Sequence, residues 1–143
     1  MPAPDCPFCS ADAARVFHRG DLVLGLWDGF PVSPGHALLV PRRHVPTWFD
    51  ASPAEVAELA ATVGIAREAV GARISRGELR ADGAGSAIVR PPDGWNVGVN
   101  VGAAGGQTVF HLHVHVIPRW TGDVPDPRGG VRGVIPSKRD YRE

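Results

Sequence analysis

The chain has 143 residues, 43% of them hydrophobic and 21% charged, with 15 basic and 15 acidic side chains and a formal net charge of zero. That is enough chain for one domain with a single substantial core, and it excludes a whole-molecule field that would gather nucleic acid or a membrane surface. No apolar run approaches the roughly 20 residues of a membrane span, and Met1-Pro2-Ala3-Pro4-Asp5 does not read as a signal peptide, so a cytoplasmic protein is expected.

Both cysteines lie in Cys6-Pro7-Phe8-Cys9. In a reducing compartment this spacing reads as half a zinc site or as a redox dithiol. A redox pair normally opens a helix after a buried strand. No strand is expected before Cys6, so zinc is preferred, with unliganded surface thiols as the alternative.

Arg15–Arg19 reads as a short strand, joined through Gly20 to a second over Asp21–Asp28. Pro31–Gly35 is a loop. His36–Pro41 is a third strand, apolar enough to be central. Ser52 is a good N-cap, Pro53 suits the first helical position and Glu55 completes a capping box. Val56, Leu59, Ala60, Val63, Ala66 and Val70 give one apolar stripe on a helix ending near Arg73. Arg76–Gly94 is broken by glycines and prolines, with a short strand expected at Ser86–Arg90. Trp95–Val101 alternates, Gly102–Gly106 turns, and Thr108–Pro118 is the last strand. Arg119–Glu143 is rich in proline, glycine and arginine and is expected to lie extended. Tight connections make the sheet antiparallel and the fold α+β.

The last strand contains His111-Leu112-His113-Val114-His115-Val116-Ile117. Period-two alternation puts all three imidazoles on one face and the valines in the core. Histidine is nucleophilic when neutral and is a common metal ligand. Spacing alone leaves a metal triad, a nucleophile cluster and fortuitous surface histidines open. Upstream, Gly105 and Gly106 permit close backbone approach, Gln107 and Thr108 offer donors to phosphate oxygens, and Asn100 ends the preceding strand on its polar face beside Gly98.

His111–Ile117, Gly106-Gln107-Thr108-Val109 and Pro34-Gly35-His36-Ala37-Leu38-Leu39-Val40-Pro41 together resemble the histidine triad (HIT) family. The likeness runs from Cys6 to Arg119 and leans toward its fragile-histidine-triad and diadenosine tetraphosphate hydrolase branch. It implies a single domain over 1–143, with about five antiparallel strands, one long helix and a short one. The N-terminus over 5–44 would bind zinc, 105–118 would be the catalytic strand and 119–143 an extended tail.

The resemblance further implies a nucleotide hydrolase or transferase acting at an α-phosphate. His113 matches the nucleophile that becomes transiently nucleotidylated, and His115 the residue that contacts phosphate and assists proton movement. His36 would support them, and Gln107 would hydrogen-bond the scissile phosphate. Asp28 matches the ribose-binding position. Asn100, Gly106 and Thr108 fall beside the substrate. Some relatives of bacterial type hold a structural zinc, and Cys6, Cys9, His44 and His111 match its ligands. A dinucleoside polyphosphate is the leading substrate, giving an AMP-type product. The alternatives are an adenosine phosphoramidate or acyl-adenylate hydrolase, and a nucleotide-binding regulatory protein. A homodimer is implied, no role is assigned to His18, and Arg128 and Arg132 are candidates to reach a polyphosphate.

Overall fold

Short apolar segments build the centre of the sheet. The computed structural model describes residues 3–82 and 84–141, so Met1, Pro2, Gly83, Arg142 and Glu143 lie outside the described residues. Its strands are β1 (Val16–Arg19), β2 (Val23–Trp27), β3 (Ala37–Pro41), β4 (Gly94–Gly98) and β5 (Val114–Arg119). All neighbouring pairs are antiparallel, in the order β1-β2-β3-β5-β4.

β3 is buried along its whole length because both faces of the sheet are covered. Ala37 and Leu39 join Val23, Val114, Val116 and Leu59 in one core. Leu38 and Val40 join Leu26, Cys6 and Phe8 in a second core on the other face. On β2, the Phe17 ring lies where a Cβ on Gly25 would stand, 2.5 Å from its nearest atom, and it stacks on Trp27 at 4.3 Å.

The long helix α1 (Pro53–Ser75) starts as its sequence predicts. Ser52 Oγ accepts from the Glu55 N–H at 3.1 Å, and Glu55 Oε1 accepts from the Ser52 N–H at 2.9 Å. It ends two residues beyond Arg73. Gly77, at φ +67°, closes it by donating to Ile74 O while Glu78 N–H donates to Arg73 O, which is a Schellman arrangement. The buried stripe is rotated from the expected one: Glu55 and Thr62 are buried with Leu59, Ala66 and Val70, and Ala60 is exposed. Thr62 hides its hydroxyl on Glu58 O at 2.6 Å, and Glu55 is paired with Arg43. No described helix is long and apolar enough to cross a membrane.

Further expectations shift, β4 ending at Gly98 and not at Val101 among them. The strand at Ser86–Arg90 shrinks to an isolated bridge between Arg80 and Ala87, with Ile88 N–H on Leu79 O at 2.8 Å. The only short helical elements among the described residues are 3-10 turns. The described part of the 119–143 tail is not extended beyond Arg119, where β5 ends. Left-handed Gly122, Gly129 and Gly130 reverse it, and 3-10 turns form at Gly130–Val134 and Pro136–Lys138. Glycine and proline there specify turns, where composition suggested mere extension.

Candidate active site

The site is built where β3 and β5 run side by side. Leu38 pairs with His115 in the ladder. His36 lies just before β3 on the same side as Leu38, reached through Gly35 at φ +82°, a conformation that glycine adopts without strain. A Cβ on Gly35 would also press on Val70 and Leu79 at 3.2 and 3.3 Å.

Only His115 of the three alternating histidines lies within a paired strand, because β5 begins at Val114. His111 and His113 precede it in unladdered chain, yet the alternation continues. Leu112 sits in the core beneath α1 with Val114 and Val116, and Leu112 N–H donates to Val45 O at 2.7 Å. His113 and His115 stand ring to ring, with centroids 5.1 Å apart.

Hydrogen-bond partners assign every proton in this cluster. His113 Nδ1 faces the His111 carbonyl at 2.8 Å, so Nδ1 carries the proton and Nε2 a lone pair. Val32 N–H donates to His36 Nδ1 at 3.2 Å, placing the His36 proton on Nε2. That proton faces His115 Nδ1 at 2.9 Å and Asp28 Oδ2 at 3.4 Å. His115 therefore accepts at Nδ1 and carries its own proton on Nε2. Burial holds His36 below its ordinary range, opposed by the Asp28 charge. Burial, with His113 and His36 nearby, pushes His115 down to about 4. Both rings are neutral near pH 7, as one proton each requires. Asp28, His36 and His115 bring three potential ligand atoms within 4.8 Å, but the proton on His36 Nε2 occupies the lone pair that a metal would need.

Asp28 also accepts the Phe30 N–H at 2.7 Å through Oδ1. Asn100 lies two residues past β4 near Gly106, and its amide has no protein partner among the described residues. Gly106, at φ +94°, and Thr108 are exposed. Gln107 is placed differently from the sequence expectation. Its Nε2 donates to Pro46 O at 2.6 Å and to Val109 O at 3.0 Å, and its Oε1 accepts from Gly102 N–H at 2.9 Å. Both amide hydrogens are thus engaged in binding loops together, and the buried side chain acts as a clamp. Arg128 is paired with Asp126, and Arg132 lies over Tyr141 and donates to the tail's own carbonyls.

A second cluster adjoins the first. Cys6, Cys9, His44 and His111 bring four potential ligand atoms within 4.8 Å of one another and could hold a metal ion. His111 Nδ1 lies 3.4 Å from Cys6 Sγ and 3.5 Å from Cys9 Sγ, and His44 Nδ1 lies 3.2 Å from Cys9 Sγ. Two thiols and two imidazoles suit a closed tetrahedral site. His111 donates its Nε2–H to Pro41 O at 2.8 Å, which turns the Nδ1 lone pair toward the thiols. Burial pushes the Cys6 thiol up, so a thiolate there is favoured only beside a cation. The residues fit a metal. Phe8, inside the cysteine pair, has no role assigned from the sequence, yet its ring lies against both His111 and His113. An aromatic residue between two expected ligands is the signal that could have found it.

An α+β domain whose antiparallel sheet gathers four histidines at the junction of two strands is the class that this fold and site define. Comparison narrows it: the chain belongs to the HIT domain family, which matches residues 11–122. An AP-4-A phosphorylase of Mycobacterium tuberculosis is 37% identical over 124 residues, which cover 86% of this chain and 55% of that protein. A bis(5'-nucleosyl)-tetraphosphatase (asymmetrical) of Schizosaccharomyces pombe is 31% identical over 110 residues, 77% of this chain and 52% of that one. The chain thus spans about half the length of these curated relatives. A hypothetical histidine triad nucleotide-binding protein from Sulfolobus tokodaii superposes with a TM-score of 0.65 at 30% identity, over 85% of this chain and 73% of that one.

Proposed function

We propose that the chain, as one domain over 1–143, is a nucleotide hydrolase. It would cleave dinucleoside polyphosphates at an α-phosphate through a nucleotidyl-His113 intermediate. The observation that carries this reading is the 2.8 Å contact from His113 Nδ1 to the His111 carbonyl, which leaves the Nε2 lone pair free for attack. That lone pair forms a bond to the α-phosphorus, and the bond to the bridging oxygen breaks, its electron pair leaving with the polyphosphate. Water then attacks the same phosphorus, the P–N bond breaks and returns its pair to Nε2, and a mononucleotide is released.

His115 Nε2–H, held outward by the His36 contact at Nδ1, donates to a phosphate oxygen as charge develops. The Asn100 amide, with the Gly106 and Thr108 backbone, completes the phosphate surroundings, and Asp28 accepts from ribose hydroxyls. Gln107 contributes by holding the loop at residues 102–109. The Cys6, Cys9, His44 and His111 cluster would take zinc, which when bound closes a structural site and ties the N-terminal segment over 5–44 to the catalytic strand over 105–118. A cytoplasmic homodimer is the expected form.

The test uses purified protein with diadenosine tetraphosphate and an intact-mass measurement after alkaline quench. One adenylyl group should appear on the native chain and none on His113→Ala. Water as acceptor yields AMP. ADP formed when inorganic phosphate is added would identify phosphorolysis, the activity named for the mycobacterial relative. Undiminished turnover by His113→Ala would overturn the reading.

A further inference from the structure

Phe8 belongs to both clusters. It lies between the two cysteines and is 8% exposed, packed with Leu26, Leu38 and Val40. Its ring centroid is 5.0 Å from His113 at an interplanar angle of 56°. The same ring meets His111 edge-on, 5.9 Å away at 85°. The turn that carries it is closed locally, because Ser10 Oγ and Ser10 N–H both donate to Cys6 O, at 3.1 and 3.3 Å.

An imidazole anchored at one nitrogen can still rock about that anchor. Among the described residues His113 has a single hydrogen bond, from Nδ1 to the chain two residues before it. What stops rotation about that bond is packing, and the rings that touch His113 are Phe8 and His115. His115 must remain available to substrate, whereas Phe8 is free of any other duty at the reacting atoms. A ring displacement of about 1 Å at a nucleophile costs on the order of 10²-fold in rate.

We propose that Phe8 is the positioning residue for His113. It sets the plane of the imidazole so that Nε2 points at the phosphorus, and it carries the state of the Cys6–Cys9 turn to the nucleophile. This rests on the reading of His113 as nucleophile. Because Cys6 and Cys9 flank Phe8 on both sides, a metal held by the four-residue cluster fixes the turn and, through it, the wall against which His113 rests. The second core thus joins the metal cluster to the chemistry by a single aromatic ring.

The experiment compares native protein, Phe8→Leu and Phe8→Tyr, each confirmed folded and at equal metal content. Leucine keeps apolar bulk without the flat wall, and tyrosine keeps the ring. Single-turnover adenylylation should fall about tenfold or more in Phe8→Leu with substrate affinity changed less than about twofold. Phe8→Tyr should recover most of the rate. The His113 Hε1 proton resonance gives a second readout: adding a chelator should shift or broaden it in the native protein and much less in Phe8→Leu. An unchanged adenylylation rate in Phe8→Leu overturns the proposal. So does a rate lost equally in both variants, or a chelator response in Phe8→Leu equal to the native one. If His113→Ala retains activity, the parent reading fails instead. If His113→Ala is inactive and Phe8→Leu is native-like, only the role of Phe8 is lost.

Discussion

The carbonyl of His111 accepts the Nδ1–H of His113 at 2.8 Å, so the residue that turns its side chain toward the cysteines also orients the proposed nucleophile with its backbone. His113→Ala therefore removes the attacking atom and leaves the His111 geometry in place. Adenylylation and multiple turnover should both fall by at least roughly 10³-fold, the scale of deleting a covalent nucleophile. Nucleotide binding, followed by fluorescence titration, should survive. Turnover within tenfold of native would contradict the assignment.

The cluster of Cys6, Cys9, His44 and His111 should contribute more to stability than to chemistry. Stripping the metal, or Cys9→Ser, should lower thermal stability by more than about 2 kcal/mol, roughly 6 °C for a chain of this size. Metal content by emission spectroscopy should fall together with the melting temperature. A stripped protein that melts at the native temperature would show that the four residues hold no structural ion.

His115 should make stability depend on pH in the mildly acidic range. Its folded pKa of about 4 lies below the ordinary 6.5, chiefly because burial disfavours the charged ring. Between those values the unfolded chain binds the extra proton, so stability rises with pH there. The contribution is complete above about 6.5 and is lost as pH falls toward 4. Denaturant unfolding of native protein and His115→Gln, at matched metal content, should differ in pH slope only in that window, the native curve rising more steeply with pH because the variant lacks the titrating ring. Parallel curves would show that His115 titrates normally.

Much of this was legible before the structure. Short apolar runs located β2 and β3, and the capping box at Ser52 and Glu55 placed the start of α1 correctly. The pairing of Cys6 and Cys9 with His44 and His111 also followed from the family resemblance. What escaped depends on partners remote in sequence. Period-two alternation in His111–His115 says which way side chains point, but not that ladder bonding begins only at Val114. Thr62 and Glu55 look polar in a list of residues, and become core residues once Glu58 O and Arg43 receive them. Turns at Gly122, Gly129 and Gly130 arise from positive φ values that composition does not specify. Gln107 reads by residue type as a phosphate donor, and nothing local shows that Pro46 O takes one of its hydrogens.

Glu55 is a further stability determinant beside the metal cluster, because it receives Arg43, the neighbour of His44. Its buried carboxylate accepts Arg43 Nη2 at 2.7 Å and the Ser52 N–H at 2.9 Å. The hydrogen bond from Arg43 holds its pKa below the usual carboxylate range. A lowered acid pKa adds stability above the unfolded value and loses it as pH drops through the folded one. Glu55→Ala should cost about 1–3 kcal/mol in urea unfolding, from the lost cap and the lost charge-assisted bond. The deficit against native protein should shrink below pH 4. A deficit constant with pH would mean that the ion pair adds nothing.

Gln107 separates a clamp from a catalyst. Three backbone groups, on Pro46, Val109 and Gly102, depend on its amide. Gln107→Glu keeps the shape but turns an acceptor toward one or both of the Pro46 and Val109 carbonyls, and a buried acceptor facing an acceptor loses its bond and its solvation together. Stability should drop by about 2–3 kcal/mol, and the Gly102 amide should exchange faster with solvent as the loop at residues 102–109 loosens. Gln107→Ala should act in the same direction. If the Glu variant instead unfolds like native protein while adenylylation collapses, the side chain leaves its carbonyl partners to reach substrate, and the phosphate role read from the sequence is the correct one.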